Sequence, residues 1–174
     1  MINTAEVYLW GTRIAIIHLH ENSSCVAFEY DRKFAKSGIQ LSPVCMPLSY
    51  RIYEFPSLIN TAFHGAPGMI ADSLPDKFGN AVIRQWLASC GRSESDFNVI
   101  DRLCYTGSRG MGALEYVPST GPAGEIDEPV NVAEMVRFAS DVLNRRKDVQ
   151  LLMTDTLTYS QLLQLGTSAG GARA

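Results

Sequence analysis

Residues 6–20 read Glu-Val-Tyr-Leu-Trp-Gly-Thr-Arg-Ile-Ala-Ile-Ile-His-Leu-His, and this stretch decides the fold of the first part of the chain. It is rich in β-branched and aromatic residues, which favour strands. The glycine near its centre indicates a turn, so the stretch predicts two strands that meet at residues 10–12. After a polar turn at residues 21–24, residues 25–30 predict a third strand. Three short strands in succession predict a curled antiparallel β-meander.

Helical patterns follow the meander. Residues 41–48 contain two prolines, which restrict them to an edge or irregular extended segment. Residues 78–88 carry apolar side chains at helical spacing, and Gly91 is expected to end that helix. A second helix is expected to begin at the polar run 93–96, which resembles a capping box, and to continue to about Leu103.

The sequence therefore predicts an α+β fold. Residues 112–117 predict a further strand, which Pro118 closes. The expected architecture is an antiparallel, barrel-like β-meander with packed helices, which ends in a Gly-rich nucleotide loop. Residues 119–130 contain two glycines and two prolines and indicate a linker or a long surface loop. Helices are expected after it at 131–147 and 158–165.

Composition narrows the class of protein. The 174 residues are 46% hydrophobic, which is enough for one compact domain or two small ones. A net charge of −3 gives no overall basic field for nucleic acid. No apolar run approaches the ~18–20 residues that span a bilayer, and no export signal is recognisable. The four cysteines lack a CxxC pattern, so we expect a cytoplasmic protein with reduced thiols and no direct nucleic-acid or membrane partner.

Few residues in the first half suggest catalysis or metal binding. His18 and His20 alternate along a predicted strand and share a face, and Cys25 follows them, but structural zinc sites usually have four ligands at tighter spacing. Asp72 and Asp76 could form a pair of acids, although we favour helix punctuation and a helix cap. No Ser-His-Asp triad or metal site is therefore expected.

Two glycine-rich stretches remain. Residues 107–112 do not open a helix, so the dinucleotide-binding fingerprint fails there. Residues 166–174, Gly-Thr-Ser-Ala-Gly-Gly-Ala-Arg-Ala, could bring several backbone N–H groups close to an anion. They lack the GxxxxGK[ST] pattern and are closer in kind to the Gly-rich loops of kinases, which place their lysine further on. A frayed tail without a role is the competing interpretation.

Three stretches together resemble one family. They are residues 67–79 (Pro-Gly-Met-Ile-Ala-Asp-Ser-Leu-Pro-Asp-Lys-Phe-Gly), 107–118 (Gly-Ser-Arg-Gly-Met-Gly-Ala-Leu-Glu-Tyr-Val-Pro) and 166–173 (Gly-Thr-Ser-Ala-Gly-Gly-Ala-Arg). In this order and spacing the chain resembles the N-terminal region of HipA-like serine/threonine kinases, the toxins of HipA–HipB toxin–antitoxin systems. The resemblance implies a HipA N-terminal subdomain at 1–118, a linker with helices at 119–165, and the start of the Gly-rich loop of a C-terminal kinase lobe at 166–174.

The resemblance also implies chemistry for the full-length protein, with ATP and Mg²⁺ as its cofactors. It places nucleotide binding on Gly166, Ser168, Gly170 and Gly171, and autophosphorylation on Ser168. It further implies a HipB-like antitoxin as a partner. The family's catalytic Asp, its metal-binding Asp and Asn and its strand Lys have no counterpart up to Ala174, so we expect this chain alone to be inactive and to bind neither cofactor.

Two alternatives stay open at this point. One is a stand-alone regulatory or antitoxin-like module that binds a separately encoded kinase lobe. The other is a nucleotide-binding fragment without a kinase role. The kinase substrate and the oligomeric state cannot be read from the residues.

Overall fold

The computed structural model describes residues 1–110 and 112–121, together with residue 140. The described part forms one antiparallel sheet of four strands, which are β1 (Thr4–Leu9), β2 (Thr12–Leu19), β3 (Val26–Tyr30) and β4 (Leu114–Val117). Its α-helices are α1 (Gly68–Ala71), α2 (Lys77–Ser89) and α3 (Val99–Thr106). Short 3₁₀ turns occur at Phe34–Lys36, Pro56–Leu58 and Glu94–Asp96. The α+β class and the antiparallel meander of β1, β2 and β3 are thus confirmed.

The sheet is open, whereas the sequence suggested a barrel-like curl. Its strand order is β3-β2-β1-β4, so β3 and β4 lie at opposite edges. The outer edge of β3 is instead covered by loop residues: Phe28 and Tyr53 exchange backbone hydrogen bonds, with N–O distances of 2.9 and 2.8 Å, and Val26 N donates to Gly65 O at 2.9 Å. Four strands with one edge already used by loops do not close into a barrel.

The β1–β2 hairpin has a two-residue turn. Leu9 pairs with Thr12, so residues 10 and 11 alone connect the strands. Trp10 has a φ of 48° and Gly11 a φ of 73°, which is the pair of positive angles that a type I′ turn requires. Glycine adopts such an angle freely, but for a bulky side chain it is an outlier.

A hydrophobic core fills the space between the sheet and α3. The helix packs on β1, β2 and β4. Fully buried side chains of this core come from the strands and from the helices, and include Val7, Ile17, Phe28, Ile70, Ile100 and Leu103. A second cluster joins α2 to α3 through Val82, Ile83, Leu87, Phe97 and Tyr105. The two clusters make α3 the element that connects the sheet to α2.

The first residues of the chain are held by the N-terminus of α3. Ile2 N donates to Asp101 Oδ1 at 2.9 Å, and Asn98 Nδ2 donates to Ile2 O at 2.9 Å. Asn98 Nδ2 also lies 3.1 Å from Asn3 Oδ1. Asp101 is only 3% exposed, so its carboxylate makes these bonds away from water. We call this arrangement of Asn98, Asp101, Ile2 and Asn3 the N-terminal clamp.

The clamp explains why α3 begins later than the sequence suggested. Ser93 caps only a 3₁₀ turn, and Phe97 is extended with φ −129° and ψ 95°. The capping box is formed instead by Asn98 and Asp101: Asp101 N donates to Asn98 Oδ1 at 2.9 Å and Asn98 N donates to Asp101 Oδ2 at 3.0 Å.

Helix α2 matches its expected position closely, since it runs over Lys77–Ser89. Within the described residues, no helix combines the length and apolar character needed to cross a bilayer.

Replacing Asp101 by alanine should destabilise the fold strongly. The backbone N–H groups of Ile2 and Asn98 would lose their common acceptor, and each unsatisfied, partly buried donor costs about 1–3 kcal/mol. We expect a loss of about 2–4 kcal/mol in the free energy of unfolding, measured by urea denaturation. Asp96→Ala is the matched control, because Asp96 is exposed, and it should change the free energy by less than about 0.5 kcal/mol. Equal effects of the two substitutions would contradict the clamp.

Candidate functional site

The predicted nucleotide loop lies outside the described residues. Gly166, Ser168, Gly170 and Gly171 belong to it, and so do the helices expected at 131–147 and 158–165. Their assignment stays a prediction. The other two motif stretches, 67–79 and most of 107–118, are described; the first contains α1 and the start of α2, and the second joins the end of α3 to β4.

The first motif forms the junction between α1 and α2. Pro67 precedes α1 and accepts a hydrogen bond from Ala71 N at 2.8 Å through its carbonyl. Asp76 is the N-cap of α2 and accepts from Gly79 N at 2.8 Å through Oδ1. Asp72 is the residue at which α1 ends. The interpretation of these two aspartates as helix punctuation and a cap is confirmed.

A polar network fixes this junction to α3. Asn80 Nδ2 donates to Pro75 O at 2.8 Å and to Asp76 O at 2.9 Å. Asn80 Oδ1 accepts from Arg102 Nη1, and Arg102 Nη2 donates to Glu94 Oε1 at 3.1 Å. Sequence reasoning missed Asn80 and Arg102, because they lie 22 residues apart and neither belongs to a recognisable pair.

A cavity of about 540 Å³ opens beside the network. Apolar side chains, among them Phe63, Leu74 and Pro75, line part of it, while Lys77 and Arg102 add positive charge. The carboxylate in its wall, Asp76, is occupied as the helix cap. An arrangement of this kind can hold a ligand or a partner, but it lacks a base aligned with a nucleophile.

The second motif closes the C-terminus of α3. Gly107 N donates to Leu103 O at 2.8 Å, and Thr120 N donates to Cys104 O at 2.9 Å. Arg109 donates to the Tyr105 carbonyl, and burial lowers the pKa of its guanidinium. These bonds satisfy helix-end carbonyls that would otherwise lack partners. They also fix the path of the chain as it leaves β4, so the motif has a structural role in the described part.

Two of the three histidines lie side by side in the described structure. His18 and His20 contact each other edge to face at 4.7 Å between ring centroids, and His18 Nδ1 bonds Thr4 Oγ1 at 2.7 Å. Cys25 is buried in the core. His64 is exposed in the turn before Gly65. Over residues 1–110 and 112–121, no group of three or more potential metal ligands occurs.

The four cysteines are present as thiols, and they differ in their environments. Cys45 and Cys90 are exposed, whereas Cys25 and Cys104 are buried. Burial raises the pKa of the Cys104 thiol to about 12, and the nearby Asp101 charge acts in the same direction. Because the folded state favours the protonated thiol, the contribution of this group to the free energy of unfolding is fully present below about pH 8.5. This contribution is lost as the pH rises towards 12.

The family comparison agrees with the two described motifs. The described part is a small open antiparallel sheet backed by helices, which is an α+β domain. The sequence-family model of the HipA N-terminal domain matches residues 5–117, and the chain therefore belongs to this family. Membership places it in the context of HipA-type toxin–antitoxin systems. The comparisons with curated proteins and with solved structures found no match.

Replacing Gly107 by alanine should strain the backbone at the end of α3. Its φ is 57°, and a Cβ atom there would collide with the hydroxyl of Ser119. Gly107→Ala should therefore reduce the free energy of unfolding by about 1–3 kcal/mol, as measured by urea denaturation. Gly112→Ala is the control within the same motif, because a Cβ there meets no atom within 4 Å. The structural role of the motif would be wrong if Gly107→Ala were as stable as the control.

The thiols should react in an order that follows their burial. At pH 8 iodoacetamide should label Cys45 quickly and leave Cys104 unlabelled, because only the thiolate attacks and Cys104 holds its proton. Peptide mass spectrometry of the native protein measures this, with the unfolded protein in urea as the control in which both residues react. Rapid labelling of Cys104 in the native protein would contradict its placement in the core.

Proposed function

We propose that this chain is the N-terminal region of a HipA-like serine/threonine kinase toxin. The observation that carries the proposal is the family match over residues 5–117, which covers almost the whole sheet and all three described helices. In this proposal the region supports a kinase lobe and binds the regulatory partner, and the catalytic residues belong to that lobe.

The use of the acidic side chains supports a non-catalytic role. Asp76 caps α2, Asp101 holds the N-terminal clamp, and Asp31 accepts from Arg13 at 2.8 Å. Phosphoryl transfer needs carboxylates that bind metal ions and orient the attacking hydroxyl. These three acids are instead engaged in a helix cap, the N-terminal clamp and an ion pair.

We propose that the Gly-rich stretch at 166–174 contributes to ATP binding in the full-length protein. Gly166, Gly170 and Gly171 would let backbone N–H groups approach the ATP phosphates, and Mg²⁺ would be held by residues of the kinase lobe. A phosphate on Ser168 would bring about −1.5 to −2 charges into the same loop. It would compete with ATP for those N–H groups and turn the kinase off. A HipB-like antitoxin and a protein substrate complete the proposed system.

The chain of 174 residues should not transfer phosphate from ATP. Incubation of the purified chain with radiolabelled ATP and Mg²⁺ should give no labelled protein and no released phosphate above the level of a heat-denatured sample. Metal-dependent transfer by the chain alone would reject the division of roles between this region and a kinase lobe.

Ser168 should be the autophosphorylated residue of the full-length protein. Phosphopeptide mapping after incubation with ATP and Mg²⁺ should place the phosphate on Ser168, and Ser168→Ala should abolish it. Thr167→Ala is the matched control, since it changes the adjacent hydroxyl and should leave the phosphate in place. Ser168→Asp should weaken ATP binding, because like charges would meet in the loop. Phosphate on Thr167 alone, or retained in Ser168→Ala, would reject the assignment.

A further inference from the structure

Trp10 occupies a position that does not suit it. Its φ of 48° lies in the left-handed region, which is strained for a bulky residue and natural for Asn or Gly. Its side chain is 82% exposed and therefore gains little from burial in this domain. A large aromatic side chain held in a strained turn and left in water is typical of a contact residue for another molecule.

An open groove lies beside Trp10. It has a volume of about 740 Å³ and runs between the β1–β2 hairpin and the turn at 31–39. Leu9 and Trp10 form one wall, and Phe34 and Ile39 belong to the other. Ile39 is itself 57% exposed, so two large apolar side chains face water at this one place. We call this feature the hairpin groove.

Ion pairs fix the two walls relative to each other. Arg13, on the hairpin, donates to Glu6 Oε1 at 2.7 Å and to Asp31 Oδ2 at 2.8 and 3.1 Å. Asp31 in turn accepts from Lys33 N at 2.8 Å, which shapes the opposite wall. Hydrogen bonds from Arg13 lower the pKa of the Asp31 carboxyl, so the contact persists over the neutral range. A groove whose walls are already in place loses little entropy when it binds.

One cation of the groove lining, Lys33, takes no part in the ion pairs of the described residues. The carboxylates of Glu6 and Asp31 are engaged by Arg13, Tyr8 and backbone N–H groups. Arg32, Lys33 and Lys36 are exposed in the facing turn. The ion pairs of the described residues use Arg13, Arg84 and Arg102 as their cations. The three cations of the turn take no part in these pairs. Charge complementarity therefore favours an anionic partner.

We propose that the hairpin groove binds an acidic polypeptide segment of another protein, which inserts one large apolar side chain between Trp10 and Ile39. Trp10 supplies an aromatic surface of the kind that dominates binding energy at interfaces. The exposed cations of the turn at 32–36 attract the acidic flanks of the segment. This binding does not depend on phosphoryl transfer.

Two peptide pools test the proposal on the intact 174-residue chain. Both contain nine-residue peptides with Leu, Ile, Phe or Trp at the centre, and their flanks are Asp and Glu in one pool and Lys and Arg in the other. The readout is the NMR signal of the two indole N–H groups, assigned with Trp10→Asn. The acidic pool should shift the Trp10 signal and leave the Trp86 signal unchanged, and 0.5 M NaCl should weaken the binding.

Two variants locate the interaction. Trp10→Asn should lower the affinity for the acidic pool about tenfold or more, as measured by isothermal titration calorimetry. The same substitution should leave the melting temperature unchanged or raise it. Lys33→Glu should weaken binding about two- to fivefold, whereas Arg92→Glu, at an exposed arginine after α2 that lines neither described cavity, should not.

Several results would overturn the proposal. These are no shift of the Trp10 signal at millimolar peptide, equal shifts with both pools, or equal effects of Lys33→Glu and Arg92→Glu. A fall in melting temperature for Trp10→Asn would show that Trp10 stabilises the fold, and the argument from strain would then be wrong. Concentration-dependent shifts of Trp10 without peptide would assign the groove to a second copy of this chain instead.

Discussion

The described structure depends on the bond between the N-terminus of the chain and the first turn of α3. Asp101 accepts from Ile2 N, a residue 99 positions earlier, and from Asn98 N within its own capping box. One buried carboxylate thereby satisfies a helix end and positions the start of β1. Because β1 lies between β2 and β4, its position determines that of the strands on both sides.

The rest of the domain builds outward from α3. The helix contacts three strands on one side, and it shares the second apolar cluster with α2 on the other. Its C-terminus is closed by the second motif, and Arg102 in its middle reaches the junction between α1 and α2 through Asn80. Both described motifs are therefore attached to α3.

Much of the fold follows from local patterns in the sequence. The first three strands, the turn at 10–12, helix α2 and the Asp76 cap each depend on neighbours within a few residues, and these predictions are confirmed. The start of α3 was predicted wrongly because Ser93 with Asp96 and Asn98 with Asp101 have the same capping spacing. Only the long-range bonds of the second pair to Ile2 and Asn3 distinguish them, and no local pattern contains that information.

The functional features also fall into two groups, those that local sequence patterns predict and those that only the folded chain creates. The family could be predicted because its motifs are contiguous, whereas the Asn80–Arg102 contact and the hairpin groove arise from residues that the fold brings together. The open sheet belongs to this second group, since the loop residues Tyr53 and Gly65 occupy the outer edge of β3. The roles proposed for Gly166 and Ser168 rest on the family resemblance.

Native-state hydrogen exchange measures the central claim most directly. If the N-terminal clamp organises the domain, the amides of Ile2, Asn98 and Asp101 exchange only through global unfolding, at the same free energy as the amides of the core strands β1 and β2. Exchange of the Ile2 amide at the rate of a frayed terminus, while Asn98 and Asp101 remain protected, would contradict the account.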